Sequence, residues 1–507
     1  MGYLLGIDLG TSGLKTVLFD ESGRSLASAT EEYPLYQPQN GWAEQDPTHW
    51  WQACVHTIRA VLEQSGVLPA DIAGVGLSGQ MHGLVMLDED GQVLGNSILW
   101  CDGRTGEECR EITRRVGAQR LIDITANPAL AGFTAGKILW VRRYWPERWA
   151  ACRHILLPKD YLRYKLCGVF ATEVSDASGT NLLDVPNRCW SEEVLCALEL
   201  DPALLPQMHE SVEVTGHITQ AAAEATGLAI GTPVVGGAGD NAAAAVGTGV
   251  VKAGKAFTTI GTSGVIFAHA DHVTIDPEGR VHTFCSAVPG AWTVMSCTLA
   301  AGGSLQWFRN QFCSPEMLAA QGMGKDPYEL MDIQAGRVPI GANRLIFLPY
   351  LMGERSPLLN EQARGVFFGL SGMHTRQDML RAVMEGVAYS QRDCLEIIRN
   401  MGVPFEEMLA TGGGGTSPLW RQMLADLYHC PVVTVQNREG PALGAALLAG
   451  VGSGIYPSVE AACDQVIHTN PPQAPVEENA EKYERYFTLY RQLSRKLSDS
   501  FAALAAL

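Results

Sequence analysis

Residues 3–19 read YLLGIDLGTSGLKTVLF. An apolar run from Tyr3 to Asp8 meets turn material at Leu9 to Gly13, and a second apolar run resumes from Leu14 to Phe19. Glu21-Ser22-Gly23 makes the next turn, and Ser25 to Thr30 reads as a third strand. Three strands joined by short turns form an antiparallel meander. A dinucleotide-binding unit does not begin this way, which speaks against an NAD-dependent dehydrogenase.

The same pattern returns far downstream. Ala256 to Ile260 reads as a strand, Gly261-Thr262-Ser263-Gly264 as a turn and Val265 to Ala268 as a strand. Gly-Thr-Ser-Gly therefore stands between strands twice, at 10–13 and 261–264, and a spacing near half the chain predicts two related domains. The boundary is expected within 240–256, dividing the chain into 1–248 and 249–507. There a strand from Thr232 to Ala238 passes into a small-residue helix from Asp240 to Val246, which Gly247-Thr248-Gly249 interrupts. Met379, Val383, Met384, Val387, Cys394 and Ile398 recur at helical spacing within 378–399, and Tyr483, Phe487, Tyr490, Leu493 and Leu497 do so within a single expected helix over 477–507. Strands alternating with helices indicate an α/β fold.

The composition narrows the function. Of the 507 residues 46% are apolar, and the formal charge is −17. An acidic surface argues against nucleic acid or an anionic membrane as the main partner. It leaves room for a phosphate site, because backbone amides and a divalent cation hold phosphates without many lysines or arginines. Thirteen cysteines without a Cys-x-x-Cys pair fit reduced thiols in a cytosolic protein, so a cytoplasmic location is expected. No run of 18 apolar residues suits a transmembrane helix. A homodimer is the default expectation for oligomeric state.

The glycines of Gly10-Thr11-Ser12-Gly13 let successive N–H groups form an anion nest, to which Thr11 and Ser12 add hydroxyls. Asp8 beside it suits Mg²⁺ held through water. An ordinary hairpin turn with a surface carboxylate is the plainer reading, and the second copy, Gly261, Thr262 and Ser263, weighs against it. Thr259 stands where Asp8 stands in the first copy, so one half keeps a carboxylate and the other does not. Gly412, Gly413, Gly414 and Gly415 run between a strand and a helix whose N-cap is Ser417. Such a run lets a flat base or a ribose lie against the main chain. Asp240 is either a helix N-cap or a carboxylate that accepts a hydroxyl proton in a cleft. Gln80 and His82 follow a strand at 74–77 and suit sugar hydroxyls. Trp100, Asp102 and Arg104 form a second polar cluster after a strand at 97–99, whose plain reading is a surface turn with an Asp–Arg pair.

Asp8-Leu9-Gly10-Thr11-Ser12, Gly261-Thr262-Ser263-Gly264 and Gly412 to Gly415 occur in the order seen in the FGGY carbohydrate kinases, and the chain resembles that family from about residue 3 to about 450. The stretches Gly365 to Leu370 and Ala382 to Glu385 are similar to its second signature. The resemblance implies the two-domain, actin-like (ribonuclease H-like) α/β fold with a cleft between the domains, and ATP, Mg²⁺ and a small sugar as partners. Segments 78–83, 98–104, 157–162 and 353–357 are similar to those of members acting on D-xylulose. The resemblance further implies that Met81 and His82 contact the sugar and that Asn241 helps hold it. It implies Asp240 as proton acceptor, Asp8 working with Mg²⁺, and ATP between Gly261-Thr262 and the 412–415 run. Other sugars such as ribulose, fuculose or gluconate, and a non-catalytic actin-like nucleotide switch, are the competing readings.

Overall fold

The computed structural model describes residues 2–437 and 439–507. The opening forms the expected meander: β1 (Tyr3–Leu9), β2 (Gly13–Phe19) and β3 (Ser25–Glu32), paired antiparallel. Helix α1 (Pro47–Ser65) covers one face and leads to β4 (Ile72–Gly79), which lies parallel to β1. Strands β5 (Val214–His217), β6 (Pro233–Val235) and β7 (Ala238–Gly239) complete a seven-stranded sheet, with β6 and β7 both parallel to β4.

The single strand expected over 232–238 is thus two. Val234 stands opposite Val75 and Ala238 opposite Ser78, so four steps on one strand match three on the other. This one-residue bulge falls at Gly236-Gly237. Gly237 has φ of 75°, and a Cβ there would lie 2.1 Å from the Leu77 carbonyl oxygen. Bulges re-aim the residues that follow them, and the residue that follows β7 is Asp240, the first residue of α2 (Asp240–Gly247).

The second half repeats the plan. Strands β8 (Gly254–Ile260), β9 (Gly264–Ala270), β10 (His282–Cys285) and β11 (Trp292–Thr298) are followed by α3 (Gly302–Phe312), α4 (Pro327–Gly336) and the long α5 (Arg376–Asn400). Then come β12 (Phe405–Thr411), α6 (Pro418–Tyr428) and β13 (Val432–Val433). The sheet order β4-β1-β2-β3 of the first half corresponds to β12-β8-β9-β11 of the second. In both, a hairpin extends antiparallel on one side and takes a parallel partner on the other. The repeated turn is therefore a repeated fold element.

Helix α7 (Gly440–Gly452), late in the chain, lies on the first sheet and against α2. Its residues are small because backbone meets backbone. A Cβ on Gly6 or Gly76 would sit 1.9 Å from the carbonyl oxygen of Ala442 or Ala445, and one on Gly444 would sit 1.9 Å from that of Ala243. Gly444→Ala gains about 1 kcal/mol of helix propensity but forces two helices apart, at a cost of about 1–3 kcal/mol or more. The expected result is a lower Tm, and an unchanged or raised Tm would show that the two helices separate freely.

The apolar stripe of α5 is buried as expected, with Met379 at its margin. The last expected helix is broken: α8 (Glu477–Lys496) ends, and α9 (Ser498–Ala505) starts beyond Leu497, a turn that carries Phe501 back into the core. Tyr490 in α8 shares a 2.8 Å hydroxyl hydrogen bond with Tyr350, and Arg381 donates to the Tyr483 hydroxyl at 2.6 Å. All thirteen cysteines are free. Among the described residues no helix is long and apolar enough to cross a membrane.

Candidate active site

Three parallel strands of the first sheet, β1, β4 and β7, end together. Asp8 and Ala238 both stand opposite Ser78, and Leu9 and Gly239 both stand opposite Gly79. Two strand spacings, about 10 Å, thus separate the backbones that carry Asp8 and Asp240. The Ser78 hydroxyl donates to Asp8 at 2.9 Å. Burial pushes the Asp8 carboxyl above its ordinary range, against the lowering effects of Ser78 and Lys15. Burial and then the Asp8 charge push Asp240 up to about 7, while the Asn241 amide pulls it down. The Asn241 backbone N–H and side-chain amide donate to the same Asp240 oxygen at 2.7 and 3.1 Å.

The N-cap reading of Asp240 fails, because Gly239 occupies that place and Asp240 is the first helical residue. A capping carboxylate would also hold its pKa low, whereas this one is raised to neutrality. Asp240 is instead aimed by its surroundings. Gly239 donates its N–H to Ser175 Oγ at 3.1 Å, and a Cβ on Gly239 would press within 2.8 Å of Met81. Met81 thus packs directly beside the residue that precedes Asp240.

His82 has φ of 69°, a left-handed conformation that costs energy for a non-glycine residue and persists where its surroundings over-determine it. Here they do. The Lys137 ammonium and the Thr134 hydroxyl donate to the His82 carbonyl at 2.7 and 3.0 Å. The ring stacks on Phe133 at 4.5 Å, and its Nδ1 donates to the Gly179 carbonyl at 2.7 Å. That bond leaves Nε2 as a lone-pair acceptor, and burial pushes the ring pKa down to about 3, so the imidazole is neutral. His282, from the second half, repeats the device. Its Nδ1 lies 2.8 Å from Asn127 Oδ1, an amide whose nitrogen donates to Thr125 and Thr283. Its ring lies 5.8 Å from Phe133 and 5.7 Å from Phe284. Two neutral imidazoles and two phenyl rings, drawn from both halves, therefore pack into one aromatic cluster. Phe133, Lys137, Gly179, His282 and Phe284 had no local signal in the sequence, since non-adjacent segments bring them together.

Three residues expected to meet a ligand are engaged elsewhere. Gln80 is 1% exposed and lies beneath the first turn, accepting from the Thr11 hydroxyl at 3.2 Å and donating to Gln45 at 3.0 Å. Asp102 accepts from the Ala43 N–H and from Arg104. Arg104 is buried, paired with Glu44 and Asp102, and packed 3.6 Å over the Trp42 ring. The Asp–Arg pair is not a surface turn: both side chains are buried and tied to Ala43 and Glu44, next to Trp100. Trp100 is half exposed and donates from Nε1 to the Thr11 hydroxyl at 2.9 Å, which brings its indole to the first glycine turn.

In that turn only Gly10 spends its amide internally, on the Gly13 carbonyl at 3.0 Å. Thr11 and Ser12 keep amides with no intramolecular acceptor among the described residues. The second turn is built alike: Gly261 donates to Ser263 at 3.0 Å, while Thr262 and Ser263 keep free amides. The carbonyls of Gly261 and Thr262 are tied from behind by the N–H groups of Ala301, Gly302 and Gly303 at 2.7–3.0 Å. Gly302 and Gly303 are needed there, since Cβ atoms would lie 2.5 and 2.9 Å from those carbonyls. The difference between the copies also has a structural counterpart: Thr259 bonds Thr411 across β8 and β12 at 2.6 Å, where Asp8 bonds Ser78 across β1 and β4.

Because β8 and β12 are neighbours, the turn after one and the glycine run after the other face a common cavity of about 530 Å³. Gly261, Thr262, Gly303, Gln306, Gly413 and Ser417 contribute to its wall, with Asp332 and Trp420. Ser417 caps α6 as expected, accepting from the Trp420 N–H at 3.0 Å. The glycines of the run are not equivalent. Cβ atoms on Gly412, Gly414 and Gly415 would meet neighbours at 2.8, 2.4 and 3.0 Å, but one on Gly413 would meet nothing within 4 Å. Gly413 also has helical dihedrals, φ −59° and ψ −41°, open to any residue. Three glycines serve the fold, and the fourth leaves the cavity empty.

Comparison with known proteins agrees with this architecture. The N-terminal domain model of the FGGY family of carbohydrate kinases matches residues 3–247, and the C-terminal domain model matches 256–453. A relative from Bacillus subtilis (strain 168), a xylulose kinase, is 39% identical over 504 residues, covering 99% of both chains. One from Escherichia coli (strain K12), also a xylulose kinase, is 40% identical, covering 96% of this chain and 99% of the other. The crystal structure of xylulose kinase from Rhodospirillum rubrum superposes with a TM-score of 0.92 at 29% identity, over 99% of this chain and all of that one.

Proposed function

The chain belongs to the FGGY family of carbohydrate kinases, and we propose that it transfers the γ-phosphoryl group of ATP to a terminal hydroxyl of D-xylulose, with Asp240 accepting the proton. The products are D-xylulose 5-phosphate and ADP. The observation that carries this reading is the junction at Gly239. Met81 presses on Gly239, while Asp240, next in the chain, shares an electrostatic field with Asp8. A base whose pKa lies near 7 is ionised often enough at neutral pH to accept a proton and remains basic enough to hold it. The neutral imidazoles of His82 and His282 offer Nε2 to sugar hydroxyls, and Trp100 covers the approach. The 38–40% identity shared with xylulose kinases of several bacteria supports the choice of sugar.

The donor side follows from the cavity. Its volume suits a nucleoside, and the free amides of Thr262 and Ser263, with those of Thr11 and Ser12, suit phosphate oxygens. The residues present fit a divalent cation. Asp8 and Asp240 are both held above their ordinary range with no cation of the protein's own bonded to either carboxylate. Mg²⁺ typically takes one or two carboxylates plus substrate phosphates, its remaining places filled by water. When bound, the metal would neutralise phosphate charge at Asp8. This chain's own part is positioning, proton acceptance at Asp240 and exclusion of water.

A coupled ADP-release assay across xylulose, ribulose, fuculose, gluconate and glycerol tests the reading. D-xylulose should lead in kcat/KM by about tenfold or more, some 1.4 kcal/mol, and a lead by any other sugar would replace it. Sugar-independent ATP turnover alone would favour a nucleotide switch. On the donor side, Gly413→Leu should raise KM for ATP by about tenfold or more and leave Tm unchanged, because its side chain enters the cavity without touching the fold.

A further inference from the structure

The nucleotide cavity has an uneven wall. No lysine or arginine lines it, but three carboxylates do: Asp326, Glu329 and Asp332. Two are spoken for. Asp326 caps α4 by accepting the Tyr328 N–H at 2.9 Å, and Glu329 pairs with Lys325 at 3.6 Å. Asp332 makes no ion pair among the described residues. Arg421, whose charge lowers the Asp332 pKa, spends its guanidinium on Gln473 at 2.7 Å and on the Gly415 and Thr416 carbonyls at 2.9 Å each. Ser417, whose hydroxyl oxygen accepts from Trp420, stands on the same cavity wall as Asp332. Burial raises the Asp332 pKa, against the lowering effects of Ser417 and Arg421.

This arrangement separates the ends of the cavity by chemistry. Phosphate oxygens belong at the free amides of Thr262 and Ser263 and are repelled by Asp332. A carboxylate on the cavity wall, with no ion pair among the described residues and spare acceptor capacity, suits an uncharged N–H donor. We propose that Asp332 is a specificity residue that accepts a hydrogen bond from the exocyclic amine of the adenine base. The inference rests on reading the cavity as the nucleotide site. A donor nucleotide without that amine leaves a half-buried carboxylate without its partner, which weakens binding.

The experiment compares kcat/KM for ATP, purine riboside triphosphate (the same base without its amine) and GTP, all with D-xylulose. In the wild-type enzyme ATP should exceed purine riboside triphosphate by roughly tenfold or more. Asp332→Ala should bring the two nucleotides to within about threefold of each other, and the shape-preserving Asp332→Asn should fall between, with KM for D-xylulose unchanged in both. A purely structural role would lower all nucleotides together and leave the ratio alone. The proposal is overturned if both variants keep the wild-type ratio, or if the wild-type enzyme prefers GTP, whose N1–H and amine edge would then be what the carboxylate reads. Gly413→Leu separates the two levels. If it leaves KM for ATP unmoved, the cavity is not the nucleotide site and both readings fall. If it raises KM while the Asp332 variants keep the ratio, only the base-reading role falls.

Discussion

Asp240→Asn should lower kcat by about a thousandfold or more, at the upper part of the range for general-base catalysis, with ATP affinity within about threefold of wild type. The substitution keeps shape and the hydrogen bond to one oxygen from Asn241. It removes the charge and the basicity that the proposed proton acceptor needs. The cavity proposed for the nucleotide lies after β8 and β12 of the other half, so binding there should be spared. Isothermal titration with ATP and a single-turnover ADP assay check the two halves of the statement. A loss of less than about tenfold would show that Asp240 is not the base. The pH dependence follows from the raised pKa. The carboxylate works ionised, so kcat/KM should fall as pH drops through about 7.

Asp8→Asn has the second largest expected effect, a loss of about a hundredfold in kcat. Asp8 stands two residues before the first turn, and the second copy has Thr259 at the matching place. Without Asp8, charge neutralisation at the phosphates weakens, and the Mg²⁺ concentration needed for half-maximal rate should rise. The same variant gives a signed electrostatic test. Asp8 raises the Asp240 pKa by like-charge repulsion. Removing it should move the acid limb of the kcat/KM profile to lower pH. A limb that stays in place or moves up would mean that the two carboxylates do not sense each other during turnover.

Much of this molecule was legible locally. The two hairpins follow from apolar runs broken by Gly-Thr-Ser-Gly, and a turn's geometry depends on its own few residues. The stripe on α5 was legible because helical periodicity is local too. What escaped depends on pairing between distant segments. Nothing near Thr232 announces the bulge at Gly236-Gly237, which exists because Gly237 crosses the Leu77 carbonyl of another strand. Gln80, Asp102 and Arg104 have the right chemistry for a sugar, but burial and partners from residues 11, 43 and 44 spend it on the fold. His282, Lys137 and Asp332 were missed for the converse reason: each is an unremarked polar residue until a distant segment packs against it. The break at Leu497 was invisible because the pattern that feeds Phe501 to the core continues the stripe of the helix before it.

The account turns on one spatial claim: a sugar hydroxyl lies between the Asp240 carboxylate and a phosphate chain held by the two glycine turns. A crystal structure with a non-hydrolysable ATP analogue, Mg²⁺ and D-xylulose measures it directly. The account predicts the terminal hydroxyl at about 2.6–3.2 Å from an Asp240 oxygen, with its oxygen facing the γ-phosphorus and the base in the cavity of Gly413 and Asp332. A sugar bound with that hydroxyl turned away from Asp240, or an analogue lying outside the reach of residues 11–12 and 262–263, would contradict it.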